Sequence, residues 1–256
     1  MTQTVRYKDK FSLSYAEFGN QNGFPILINH GLIASIKDYA LFKRLIALGA
    51  RLVCMARPGY GASDPYELKN IAEWADMVGS IIEELGLSQF DVLGMSSGAP
   101  YSYAIGYKFP DKVRNIYIFS GIPALYADEV LAVWPHPVNK QASLPELQSL
   151  AHELFFANVP EVDLEKNDIK DSMMNECFGL ALDFKIRCLD WGFTLAEVQE
   201  TVFMQHSRYD NLAPVEITAR LLPNCRLVIK ESDVHFSEEM LDEFIQDTIA
   251  PFYSHE

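Results

Sequence analysis

The feature that most constrains the fold of this chain is an alternation of short apolar runs with segments whose apolar residues recur at helical spacing. The runs from Pro25 onward are almost wholly apolar, as expected of parallel strands covered on both faces. Residues 71–85 carry a helical apolar pattern, and Gly86 follows as a helix stop. This alternation predicts βαβ units on one mostly parallel central sheet flanked by helices, an α/β fold. The predicted strands are Phe11–Phe18, Pro25–Asn29, Arg51–Ala56, Phe90–Leu93, Asn115–Phe119, Val202–Gln205 and Arg226–Lys230.

The alternation stops after Phe119 and resumes near residue 202. Residues 121–193 show no strand pattern and are rich in large apolar side chains. Ser143 and Glu146 predict a capping box at the start of one helix, and a second helical stretch covers residues 168–188. We expect a core made of residues 1–120 and 194–256, with residues 121–193 inserted as a helical lid. A plain helical core segment is the alternative interpretation.

Composition narrows the class of protein. The 256 residues include 21 basic and 35 acidic ones, a formal net charge of −14. This balance argues against a nucleic-acid partner and against binding to anionic membranes. The first ten residues lack the apolar core of a signal peptide, no apolar run could span a bilayer, and the four cysteines are widely spaced. We expect a cytoplasmic protein with reduced thiols and no metal site, and composition leaves the oligomeric state open.

The strongest chemical signal is residues 94–98, Gly-Met-Ser-Ser-Gly, which follow one predicted strand and open a helix. A Gly-x-Ser-x-Gly turn between strand and helix forces the serine into a strained conformation and exposes its hydroxyl. Flanking glycines are needed because side chains there would collide across the turn. The pattern predicts Ser96 as a nucleophile, with the backbone N–H of Ser97 positioned to bind an oxyanion. A glycine-rich turn with a buried serine is the plainer alternative.

A serine nucleophile needs a histidine base and an acid, in the chain order Ser, acid, His for such a turn. His235 lies between the last predicted strand and the closing helix, where the base is expected. Asp210 follows the preceding strand and is the candidate acid, whose task is to fix the histidine tautomer. Asp233 is the alternative acid, but it is only two residues from His235. His206 ends a strand too early for the base, so packing or hydrogen bonding is its expected role.

The loop after the strand Pro25–Asn29 is expected to supply the second oxyanion donor. It reads His30-Gly31-Leu32, in which Gly31 lets the chain turn in close and the N–H of Leu32 is the natural donor. The remaining histidines, His136, His152 and His255, are expected to face solvent.

Taken in order, these motifs make the chain resemble the α/β-hydrolase superfamily, in its small-lid serine esterase and peptidase-like branch. The resemblance covers nearly the whole length. Three positions depart from the usual family pattern. Ala56 stands where an Asp commonly precedes Arg-Pro-Gly, and Ser207 stands where a Gly often follows the strand histidine. Asp233 replaces the glycine that is usual two residues before the catalytic histidine. Ser96 distinguishes the chain from the dehalogenases and epoxide hydrolases of this fold, which use Asp there. The motifs are His30-Gly31, residues 57–63, the serine turn, Trp191-Gly192-Phe193, the Asp210 loop with Pro214, and His235.

The resemblance implies a serine hydrolase that acts without a cofactor through an acyl-enzyme. We expect its substrate to be a small carboxylic ester with an apolar acyl or aryl group. N-terminal peptidase, carbon–carbon bond hydrolase and acyltransferase activities stay open, as does a non-catalytic receptor for a small ligand. Aromatic residues of the lid either roof an apolar pocket or only dock the lid onto the core. The residues expected to contact substrate are His30, Gly31, Met95, Trp134 and Phe155.

Overall fold

The computed structural model describes residues 1–212 and 215–253, so Pro214 and His255 lie outside the described residues. Its strands form a single eight-stranded sheet in the order β1-β2-β4-β3-β5-β6-β7-β8. β2 runs antiparallel to both of its neighbours, and all other neighbouring pairs are parallel. The strands are β1 Thr2–Tyr7, β2 Phe11–Gly19, β3 Pro25–Asn29, β4 Arg51–Met55, β5 Phe90–Met95, β6 Val113–Phe119, β7 Thr201–Ser207 and β8 Cys225–Lys230.

The predicted α/β class is confirmed: a mostly parallel central sheet is flanked by helices. The seven predicted strands all form, within two residues of their expected ends. The sequence pattern missed β1, because its residues are mostly exposed at the sheet edge and lack an apolar run. The helices are α1 Lys43–Ala47, α2 Ala72–Glu84, α3 Ala99–Lys108, α4 Asp128–Leu131, α5 Leu144–Phe155, α6 Asn167–Ile186, α7 Val215–Leu221 and α8 Glu238–Phe244.

A buried polar chain fixes the end of β3 against the helices that follow β4 and β5. The indole of Trp74 on α2 donates to Asn29 Oδ1 at 3.0 Å, and Asn29 Nδ2 donates to Ser102 Oγ on α3 at 2.9 Å. All three side chains are excluded from solvent. Buried amides need such partners, so these bonds set the position of the loop that begins at His30.

Residues 121–193, here called the helical insertion, connect β6 to β7. The structure describes all of them and places α4, α5 and α6 there, with no strand. The predicted capping box is present, since the Ser143 N–H donates to Glu146 Oε2 at 2.8 Å and the Glu146 N–H donates to Ser143 Oγ at 3.4 Å.

Helix α6 departs from the continuous helical stretch that the sequence predicts. Residues 175–177 have φ values of 52°, 58° and 63°, which divide the helix into two arms. The Gln148 side chain of α5 donates to the carbonyl oxygens of Asn175 and Glu176, each at 3.0 Å. These bonds satisfy carbonyls that the interrupted helix leaves without partners. Within the described part of the chain, no helix has the length and apolarity required to cross a membrane.

Candidate active site

The turn between β5 and α3 holds Ser96 in the strained conformation that its sequence predicts. Ser96 has φ +49°, a region that L-residues rarely adopt, and it starts a 3₁₀ turn, Ser96–Gly98, that leads into α3. A Cβ on Gly94 would lie 2.3 Å from Ser102 Oγ, and one on Gly98 would lie 2.2 Å from the Asn29 carbonyl oxygen. Both glycines are therefore required by close packing, as the motif predicts.

Three side chains from separate loops meet at this turn. His235 Nε2 lies 2.9 Å from Ser96 Oγ, and His235 Nδ1 lies 2.6 Å from Asp210 Oδ2. Asp210 is buried, and its Oδ1 accepts the N–H of Leu212 at 2.9 Å. Burial alone would raise the pKa of Asp210, but the bonds from His235 and Leu212 hold that pKa below its ordinary value. The carboxylate therefore stays charged beside the imidazole, the arrangement that activates a serine hydroxyl.

The other histidines take different places. His206 is buried, and its Nε2 lies 3.4 Å from Asp210 Oδ2, the same oxygen that His235 Nδ1 contacts. Burial lowers the pKa of His206, which keeps the ring neutral. His152 is exposed, as expected, and so is Asp233, the alternative acid. His136 is half-buried, so the expectation that it faces solvent holds only in part: its ring packs edge-on against Trp134 and its Nε2 is buried.

The loop after β3 lies directly against Ser96. A Cβ on Gly31 would come within 3.7 Å of Ser96 Cβ, so the backbone approaches the nucleophile closely. Tyr60 donates its hydroxyl to the Leu32 carbonyl oxygen at 2.9 Å and so anchors the loop beyond it. Ser97 is buried at the start of the 3₁₀ turn. This places Leu32 and Ser97, the two expected oxyanion donors, on the segments that flank Ser96.

His30 holds the loop in place. Its Nδ1 lies 2.7 Å from the Gly31 carbonyl oxygen, and its Nε2 accepts the N–H of Arg57 at 3.2 Å. Burial, together with the charge of Arg57, lowers the pKa of His30 well below its usual value. With both ring nitrogens occupied and 4 % of its surface exposed, His30 borders the site mainly as a support for the loop.

A buried ion pair, which the sequence did not reveal, joins this loop to the helical insertion. Arg57 Nη2 lies 2.6 Å from Asp183 Oδ2 on α6 and 2.9 Å from the Gly31 carbonyl oxygen. Tyr60 and Tyr101 also donate to the Asp183 carboxylate. Burial opposes the charge, but Asp183 holds the pKa of Arg57 above its ordinary value. Arg57 belongs to a motif that the resemblance marked, whereas nothing in the helical pattern of α6 singled out Asp183.

A cavity of about 1500 Å³ opens above Ser96 and His235. Its walls come from the loop after β3, the serine turn, the helical insertion and the start of α8. All of the residues expected to contact substrate border it, namely His30, Gly31, Met95, Trp134 and Phe155.

Comparison with known proteins gives the family. A family model described as the alpha/beta hydrolase fold matches residues 25–157, more than half of the chain. The protein belongs to the α/β-hydrolase-fold family. It is 23% identical over 270 aligned positions to 2-hydroxy-6-oxononadienedioate/2-hydroxy-6-oxononatrienedioate hydrolase 2 of Pseudomonas putida, covering 95% of this chain and 92% of that protein. The curated relatives that it matches are hydrolases, so this α/β hydrolase is an enzyme of that class.

Solved structures show the same fold. An esterase from Exiguobacterium antarcticum superposes with a TM-score of 0.73 at 18% identity, covering 99% of this chain and all of that one. The enol-lactonase from Burkholderia xenovorans superposes with a TM-score of 0.69 at 16% identity, covering 96% and 97% of the two chains.

The aromatic residues of the insertion divide into two groups in this α/β hydrolase. Trp134, Phe155 and Phe184 border the cavity. Tyr126 instead packs on Trp191, and these two residues lie outside the cavity walls, as do Phe156, Phe178 and Phe193. The sequence left open whether these residues roof a pocket or only dock the insertion onto the core, and each interpretation fits part of the set. Over residues 1–212 and 215–253, no group of three or more His, Cys, Asp or Glu side chains is arranged to hold a metal ion.

Proposed function

We propose that this enzyme is a serine hydrolase that cleaves small carboxylic esters through Ser96, His235 and Asp210. The observation that carries the proposal is the continuous contact from Ser96 Oγ through His235 to Asp210, at 2.9 and 2.6 Å, with Ser96 and His235 bordering the cavity. A hydroxyl is a weak nucleophile by itself, and an oriented imidazole beside it supplies the missing base.

In the proposed mechanism, Ser96 Oγ attacks the ester carbonyl carbon while His235 Nε2 takes its proton. Asp210 fixes the proton of His235 on Nδ1 and stabilises the imidazolium that forms. The N–H groups of Leu32 and Ser97 bind the oxyanion of the tetrahedral intermediate. His235 then protonates the departing alcohol, and a water activated by the same imidazole releases the carboxylic acid from Ser96.

Carbon–carbon bond hydrolysis is the second candidate, because the dienedioate hydrolase of Pseudomonas putida aligns with 95% of the chain. The same three residues would serve, and the leaving group would be a stabilised carbanion in place of an alcohol. We infer that residues 121–193 act as a lid over either substrate, since Trp134, Phe155 and Phe184 border the cavity from above the sheet.

A fluorophosphonate probe tests the nucleophile, and a substrate panel separates the two reactions. The probe should label wild-type enzyme and the Ser97→Ala variant, whose backbone N–H is retained, but not Ser96→Ala. The panel comprises p-nitrophenyl esters, p-nitroanilides and a 2-hydroxy-6-oxo-dienoate. Fastest turnover of esters supports the leading proposal, and fastest turnover of the dienoate favours the second. Equal labelling of both variants would show that Ser96 is not the nucleophile.

A further inference from the structure

Three nitrogen atoms in the upper wall of the cavity are buried without a hydrogen-bond partner. They are Trp134 Nε1, His136 Nε2 and Arg187 Nε. The rings of Trp134 and His136 meet edge-on with centroids 5.0 Å apart, and Arg187 Cζ lies 5.8 Å from the Trp134 ring centroid. Most buried donors in proteins are paired, so three unpaired ones in one cluster need an explanation.

Arg187 also lacks a counter-charge. Across the described residues, Arg187 takes part in none of the ion pairs, whereas the other two basic cavity residues, Lys37 and Lys166, each contact an aspartate. The neighbouring Cys188 thiol supplies no negative charge, because burial raises its pKa even beside Arg187. The guanidinium instead lies over the ring of Phe184, 4.7 Å from its centroid. Arg187 is half-buried, so a guanidinium with no protein carboxylate against it is available at the cavity wall to a ligand that carries an anion.

We infer that Trp134, His136 and Arg187 form a carboxylate-binding subsite, so that the substrate of this enzyme carries a carboxylate away from the bond that Ser96 attacks. This inference rests on the proposed function for the position of that bond. All three residues border the same cavity as Ser96.

The chemistry of the cluster matches a carboxylate. The guanidinium supplies a positive charge, and the indole and imidazole add ring nitrogens that can donate, which together suit a planar carboxylate with two acceptor oxygens. The acidic cavity residues lie on other segments: Glu165 and Asp168 flank the start of α6, Asp38 accepts from Asn167 there, and Glu238 begins α8, whereas Arg187 follows the other end of α6.

A pair of ester substrates tests the subsite. p-Nitrophenyl hexanoate and mono-p-nitrophenyl adipate differ only in having a terminal methyl or a terminal carboxylate. The ratio of kcat/KM for the adipate ester to that for the hexanoate ester should fall roughly 10- to 100-fold in Arg187→Met, the range for losing a hydrogen bond to a charged group. Trp134→Phe, which keeps an aromatic ring but removes the indole N–H together with the five-membered ring that carries it, should lower the ratio less.

The matched control is Lys185→Met, because Lys185 lies on the same helix, pairs with Glu67 and does not border the cavity. This variant should keep the wild-type ratio. An unchanged ratio in Arg187→Met, or an equal fall in Lys185→Met, would overturn the subsite.

Binding to the full-length Ser96→Ala variant separates failure of the subsite from failure of the proposed function. Titration calorimetry should show monomethyl adipate binding at least about tenfold tighter than methyl hexanoate. That preference should appear even if the wild-type enzyme hydrolyses neither p-nitrophenyl ester. Equal affinity, or tighter binding of the neutral ester, would refute the subsite whatever the enzyme hydrolyses.

Discussion

The serine turn and the helical insertion border the same cavity but are built in opposite ways. At the turn, Ser96, His235 and Asp210 already contact one another, and Gly94 and Gly98 pack too closely to accept side chains. In the insertion, three buried donors face the cavity region without partners. The comparison indicates that the proposed reacting groups are already in contact with one another, whereas the proposed binding groups above them are left without partners in the protein.

The two regions are joined by the ion pair between Arg57 and Asp183. Arg57 reaches the carbonyl oxygens of His30 and Gly31, and Asp183 belongs to α6 of the insertion. The position of the loop that flanks Ser96 therefore depends on a side chain that comes from the insertion.

The largest effect should come from breaking the contacts among the proposed reacting groups. His235→Ala should lower kcat for p-nitrophenyl acetate by about 10⁴-fold or more, because the three residues act as a unit. His206→Ala is the matched control, since His206 lies 3.4 Å from the same Asp210 oxygen, whereas the contact with Ser96 Oγ comes from His235. This variant should keep most of the activity. A folded His206→Ala enzyme without activity, beside an active His235→Ala enzyme, would reverse these assignments.

An intermediate effect should come from breaking the link between the two regions. Asp183→Asn should lower the free energy of unfolding by about 3–5 kcal/mol, because it leaves the buried Arg57 guanidinium without its counter-charge. Urea denaturation measures the change. Lys185→Met, two residues along α6, should cost less than about 1 kcal/mol because its pair with Glu67 is largely exposed. Equal losses in the two variants would mean that the buried pair does not hold the regions together.

The smallest effect, a change in kcat/KM for each methylene added to the substrate, should come from the apolar wall that the insertion contributes to the cavity. Leu147, Leu150 and Leu154 border the cavity from α5. Each methylene buried against such a wall contributes about 0.8 kcal/mol, so kcat/KM should rise roughly fourfold per added CH₂. A series of p-nitrophenyl esters from acetate to decanoate should therefore climb and then drop once the chain meets the wall. A flat profile would contradict an apolar acyl pocket.

How far the sequence could predict the site differs between these regions. The Gly-x-Ser-x-Gly spacing predicted the φ +49° turn at Ser96, because only small neighbours fit there and the constraint is local. Chain order placed His235 and Asp210 at the carboxyl ends of neighbouring strands, where parallel strands bring their loops together. Neither inference required knowledge of side-chain packing.

The insertion was predictable only in outline. The capping box at Ser143 is a local signal and is confirmed, but the interruption of α6 depends on contacts with Gln148 of α5. His136 looked like a surface histidine because nothing in its neighbourhood along the chain indicates that Trp134 will cover it.

The sequence by itself therefore determined the α/β framework, the strained serine turn and the order of the residues that meet there, because strand periodicity and backbone sterics act over a few residues. Only the tertiary structure decided which polar groups find a partner within the protein and which are left without one. Asp183 became the partner of Arg57, and Arg187, four residues on, received none. Such pairing depends on distances between segments far apart in the chain, and no spacing along the sequence encodes them.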